Sequence, residues 1–202
     1  MIAHKSMNNT QKLFSHIALL LILYVSTPSL GQHLRVRSVK DLYNPDTVSI
    51  GKKAPDIIAH DINGLTVSLS SLRGKYVLIQ VWSSAMNTCL KEMDAWKKIR
   101  DDHRNKNMLF MNISVDKNIE AWQHYYGQHN LQGVEVHADA MQPALCYYLL
   151  QTKMKEGHSF FSYTLPQYIL IDASGIVLDN HINLKPTDAK AFTTFIDRLP
   201  GI

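Results

Sequence analysis

Cysteine is scarce in this chain of 202 residues: there are two, Cys89 and Cys146, and they do not stand at the three-residue spacing that two-thiol exchange uses. Two cysteines cannot assemble a structural zinc set. The ten histidines add no ligand cluster, because His124 and His129, five apart, do not share a helical face, so no metal and no other cofactor is expected. A Gly-rich phosphate loop, a Gly-x-Ser-x-Gly elbow and a tract of Lys and Arg are all missing. These absences set aside nucleotide, serine-hydrolase and nucleic-acid readings. A net charge of +4, spread along the chain without interleaved aromatics, is a mild bias and not a binding surface.

Long apolar runs are equally few. The one near the start, Ile17-Ala-Leu-Leu-Leu-Ile-Leu-Tyr-Val25, falls well short of the roughly 20 residues a spanning helix needs. It follows Lys5 and Lys12 with no acid and leads into Ser26-Thr-Pro-Ser-Leu-Gly31, the pattern of a secretory signal peptide. The expected organisation is a signal segment over 1–31, a polar approach over 32–49 and one domain over 50–202. Cleavage after Gly31 would leave 19 basic against 17 acidic residues, a net charge of +2. An uncleaved segment would instead tether the chain to a membrane. About 170 remaining residues suffice for a core without disulfide staples. Cys146, in the apolar stretch Pro143-Ala-Leu-Cys-Tyr-Tyr-Leu-Leu150, reads as a small core residue.

Hydrophobic periodicity divides the domain into alternating elements. Ile57-Ile-Ala59 and Leu65-Thr-Val-Ser-Leu69 flank an Asn63-Gly64 turn and read as a hairpin. Tyr76-Val-Leu-Ile-Gln-Val-Trp82 is apolar nearly throughout, as a strand covered on both faces must be. Helices are expected over Asn87 to Lys106, Asn118 to His129 (Ile119, Trp122, Tyr125 and Tyr126 inward), Met141 to Lys155 and Pro186 to Arg198. Further strands are expected at Met108 to Val115, Val134 to His137, Gln167 to Asp172 and Ile176 to Asp179. Strands separated by helices imply parallel pairing with right-handed crossovers.

Between the Tyr76 strand and the Asn87 helix lies Ser83-Ser-Ala-Met-Asn-Thr-Cys89. With Trp82 at its head, this segment resembles the Trp-Ala-Ser-Trp-Cys-Gly-Pro-Cys stretch of the TlpA/ResA branch of thioredoxin-like thiol-disulfide oxidoreductases, with Met86 where the first cysteine belongs. Gly51-Lys-Lys-Ala-Pro-Asp56 and Asn63-Gly-Leu-Thr-Val-Ser-Leu-Ser-Ser-Leu-Arg-Gly-Lys75 extend the likeness to the lead-in of the TlpA and AhpC/TSA (redoxin) families. The resemblance implies an α/β fold: a thioredoxin-like α/β/α sandwich with a mixed central sheet, an N-terminal β-hairpin and a TlpA-type helix–strand insertion.

The same resemblance implies a site. Trp82, Met86, Leu165 and Pro166 take the positions that bind substrate, with Leu165-Pro166 matching a cis-proline whose preceding backbone could pair with an extended peptide. Glu92, one turn beyond Cys89 and so on its face, matches an acid thought to assist proton transfer; its plainer reading is a solvated helix carboxylate. Phe160, Phe161 and Tyr163, before the proline, could form a partner-binding rim or pack down as a lid.

The chemistry turns on one substitution. A sulfur at a helix N-terminus is favoured as thiolate and attacks a disulfide, after which the second sulfur resolves the mixed disulfide. Methionine cannot ionise, so two-cysteine exchange is excluded. The expected function is that of an exported cell-envelope protein of the thiol-disulfide oxidoreductase type, redox-impaired, binding a protein or peptide partner without turnover. Its rival is a single-cysteine enzyme using Cys89. A Cys89–Cys146 disulfide is a third reading, and peroxidase chemistry is disfavoured because Met86 stands where a Thr or Ser would assist the thiol.

Overall fold

The computed structural model describes residues 50–129, 131–149, 151–155 and 158–202, with 151–155 and 158–162 described by their backbone. The signal and approach segments, and the side chains of Phe160 and Phe161, lie outside what is described.

The centre of the molecule is built from two strands too apolar to face water. Strand β3 (Tyr76–Trp82) and strand β4 (Met108–Ser114) run parallel in register from Tyr76 opposite Met108 to Trp82 opposite Ser114. Both are buried along nearly their whole length. Around them the sheet has seven strands in the order β2-β1-β5-β4-β3-β8-β9, with β1 (Ile58–Asp61), β2 (Thr66–Ser68), β5 (Val134–His137), β8 (Gln167–Ile171) and β9 (Val177–Asp179). β5 is parallel to β4, whereas β1 and β8 are antiparallel to their neighbours β5 and β3. The sheet is therefore mixed, as expected.

Helix α1 (Asn87–His103) crosses from β3 to β4, and α2 (Ile119–His129) from β4 to β5. This α2–β5 unit is the expected insertion. Trp96 on α1 has no exposed surface and packs on Phe110 of β4, Tyr168 of β8 and Phe192, with ring centroids 5.3, 5.5 and 6.3 Å apart. Phe192 belongs to the closing helix, Ala189–Asp197. The first hairpin turns at Gly64, whose φ of +78° suits glycine, while Asp61 Oδ1 accepts from the N–H groups of Asn63 and Leu65.

Three expectations are corrected. The apolar run from Met141 does not continue as a helix to Lys155: helix α3 ends early (Pro143–Leu149), and Gln151–Lys155 is strand β6, paired with β7 (His158–Ser162) in a separate two-stranded ribbon. Cross-strand pairing, from Gln151 opposite Ser162 to Lys155 opposite His158, engages these backbone groups and overrides the helical propensity of the run. The closing helix, α4 (Ala189–Asp197), is also shorter than its pattern, starting after Asp188, whose carboxylate accepts from the Ala191 N–H. Ile119, expected inward, is exposed at the first turn of α2, whereas Trp122 is buried.

One buried carboxyl stands apart from the rest. Glu135 on β5 lies beside Asn112 on β4, whose amide donates to Glu135 Oε1 at 2.5 Å; its other oxygen has no partner among the described residues. Burial pushes this carboxyl up to about 8, the Asn112 hydrogen bond and the Arg100 charge opposing only part of the rise. The folded chain thus holds a proton that the unfolded chain releases near the usual Glu value of about 4.3. The stability tied to Glu135 is full below that value and is lost as pH rises through about 8. Urea unfolding should show stability declining across this window, by on the order of a few kcal/mol from this residue. Glu135→Gln should flatten that slope; an unchanged slope would show that Glu135 is ionised in the fold.

Candidate functional site

The ends of the two central parallel strands create the site. Because Trp82 pairs with Ser114 in register and the Val115 N–H donates to the Trp82 carbonyl at 2.9 Å, β4 delivers Asp116 directly to the loop that leaves β3. Its buried carboxylate accepts from Ser83 Oγ (2.5 Å), from the Ser84 N–H on both oxygens (3.0 and 3.1 Å) and from Ser114 Oγ (2.8 Å). Burial alone would raise the Asp116 carboxyl, but the hydrogen bonds from the three serines outweigh it and hold it below the usual carboxylate range. The Asp116 carbonyl in turn accepts from His137 Nε2 at 2.8 Å, which fixes the proton on that ring nitrogen. Sequence reasoning missed Asp116. The signal was available: an acid just past the end of a parallel strand adjoining the motif strand occupies the edge where α/β folds place their sites.

This anchored loop sets the start of α1. Met86 is the N-cap, in an extended conformation, and its carbonyl accepts from the N–H groups of Cys89 (2.9 Å) and Leu90 (3.2 Å). Its side chain is 38% exposed, whereas Cys89, one turn on, has no exposed surface. Burial pushes the Cys89 thiol up, and the charges of Asp116 and Glu92 add to the rise; the Ser83 backbone and the Thr88 hydroxyl oppose it without cancelling it. A thiol so placed is neutral at physiological pH and out of reach.

The Leu165–Pro166 peptide bond is cis, as the motif position implies. Thr88 Oγ donates to the Leu165 carbonyl at 3.1 Å and so joins the helix start to the proline loop. Beside this junction lies a groove of about 460 Å³ between α1 and the connection from β9 to α4, with Leu165 and Pro166 in its wall. Glu92 also lines it, and the plain reading of Glu92 as a solvated carboxylate is corrected. It is buried, accepting from the Thr187 N–H at 3.1 Å and from Thr187 Oγ at 3.0 and 3.1 Å. The acid is a clasp on the segment entering α4.

Two expected substrate contacts fall elsewhere. Trp82 is fully buried, edge-on to Tyr125 with ring centroids 5.1 Å apart, and backs the motif loop from inside the core. Met86 stands exposed at the helix start but is not among the residues lining the groove. The two thiols are both free, so the disulfide reading is not realised, and Cys146 is buried with its Sγ 3.4 Å from the Ala140 carbonyl.

A mixed sheet of this order, with a cis-proline loop abutting the start of the helix after the central strand, defines a thioredoxin-like fold. The AhpC/TSA family model matches residues 50–179, and the chain belongs to that family, as a TlpA/ResA-like member of the thioredoxin fold. Among curated proteins it is similar to thiol-disulfide oxidoreductase ResA of Bacillus thuringiensis, 25% identical over 87 residues that make 43% of this chain and 50% of ResA. The match thus spans half the length of that relative. Peroxiredoxin Bcp of Bacillus subtilis is 25% identical over 154 residues, 75% of this chain and 97% of Bcp. The thioredoxin domain of a thiol-disulfide oxidoreductase from Bacteroides vulgatus superposes with a TM-score of 0.57 at 22% identity, covering 72% of this chain and 98% of that one. That likeness bears on the fold alone.

Enclosure of Cys89 and the Asp116 anchor make one prediction. In the native chain at neutral pH, Cys89 should resist iodoacetamide until the protein unfolds. Asp116→Ala strips three serines of their common acceptor and should lower stability by about 2 kcal/mol while speeding Cys89 labelling. Labelling of the unmodified native chain at the rate of a free thiol, followed by mass spectrometry, would contradict this.

Proposed function

We propose that this chain is an exported, cell-envelope member of its family that has kept the fold and the proline groove but not disulfide turnover, and that it acts by holding an extended segment of a protein partner. One observation carries the reading: the N-cap of α1, where the attacking sulfur of a two-cysteine site would stand, is an exposed methionine, and the remaining thiol of the motif has no exposed surface. Electrophilic disulfides thus meet a thioether that has no proton to lose. Trp82 supports the motif loop from the core, and Leu165 and Pro166 provide the wall against which a partner would lie.

The export half of the proposal rests on the pattern over 1–31. The rival in which Cys89 alone performs thiol or antioxidant chemistry is opposed by its burial and its raised thiol. Similarity to a peroxiredoxin does not revive the peroxidase reading, because Met86 precedes Cys89 by three residues and offers no hydroxyl.

Restoring the missing atom tests the proposal. Met86→Cys places a thiol at the N-cap, three residues before Cys89. On mild oxidation this variant should form an intramolecular disulfide that reduction reverses, and it should reduce insulin in the presence of dithiothreitol faster than the native chain, which should match the background rate. Insulin reduction by the native chain at a rate abolished by Cys89→Ser would overturn the reading.

A further inference from the structure

The groove has a charge as well as a shape. One wall is α1, which presents Lys91, and the opposite wall is the connection from β9 to α4, which presents Lys185; both lysines are exposed, and neither forms an ion pair among the described residues. The one acidic residue lining the groove is Glu92, and its carboxylate is buried and already engaged by two hydrogen-bond donors of Thr187. A cationic rim therefore faces a space with no exposed anion of its own.

The lining between the two lysines is mixed. Leu165 and Ile182, buried, and Pro166, half-buried, give it an apolar part beside the polar Thr88, Thr164 and Gln167. Thr164 to Tyr168 line the groove in sequence; Gln167 and Tyr168 are held in β8 by β3 and by the Ile182 N–H, and Thr164 to Pro166 ahead of them offer an extended chain a place to lie. Clefts lined by one sign of charge over apolar walls concentrate counter-charges and speed their approach.

We infer that the groove takes an extended protein segment in which an apolar residue, seated between Pro166 and Ile182, is flanked by carboxylates that face Lys91 and Lys185. The inference rests on the peptide-holding function proposed above and adds the chemistry of the partner. Each ammonium–carboxylate pair is exposed and weak alone, so selectivity comes from the two acting together on one segment.

A library of random linear peptides displayed on phage and panned against the immobilised full chain tests both levels. Two variants serve as counter-targets: Lys91→Gln/Lys185→Gln, which removes the charge, and Asn183→Trp, an exposed lining position where a bulky ring fills the groove mouth without entering the core. The expected result is an acidic enriched pool that fails on Asn183→Trp. Its consensus peptide should bind the double variant about 5- to 10-fold more weakly, whereas a peptide with Asn and Gln for Asp and Glu should bind both forms alike. A neutral or basic pool that Asn183→Trp still blocks overturns the charge inference and leaves the groove reading standing. No enrichment, or a pool that binds Asn183→Trp as well as the native chain, overturns both.

Discussion

Three serines donating to one buried carboxylate hold this site in place. Asp116 sits where the parallel register of β3 and β4 puts it, and it accepts from Ser83 and Ser114 side chains and from the Ser84 backbone. Without it the Ser83 and Ser114 hydroxyls and the Ser84 N–H would lose their shared acceptor, and the loop into α1 would lose its side-chain tie to the end of β4. Position of the N-cap, depth of Cys89 and proximity of Thr88 to the proline loop all follow from that anchor. The same charge also disfavours a thiolate nearby, so the device that orders the loop helps to keep its thiol quiet.

Much of the fold could be read from pattern. β3 and β5 have the ends their apolar runs announce, and the Asn63-Gly64 turn closes the hairpin it signals. The cis bond at Pro166 falls where the resemblance puts it. What escaped was decided by strand pairing. Residues 151–155 have the composition of a helix end, yet they pair with 158–162, and that pairing won over propensity.

The candidate site was legible in its covalent chemistry and not in its contacts. That Met86 cannot replace a cysteine follows from the side chain alone. That Trp82 turns into the core, that Glu92 reaches Thr187 95 residues away, and that Asp116 serves the motif loop 32 residues back depend on how strands align, which no local pattern encodes. Glu92 shows the difference well: helical spacing placed it correctly on the Cys89 face, but its partner lies on a segment distant in sequence.

The hydrogen bond from Thr88 to the Leu165 carbonyl spans the two walls of the motif end and fastens them to each other before anything arrives. A receptor braced in this way loses little freedom when it is filled, so whatever affinity it has is not spent on ordering its own backbone. It also has little capacity to reshape itself around ill-fitting guests, which makes the cleft a template that selects by fit more than one that adapts.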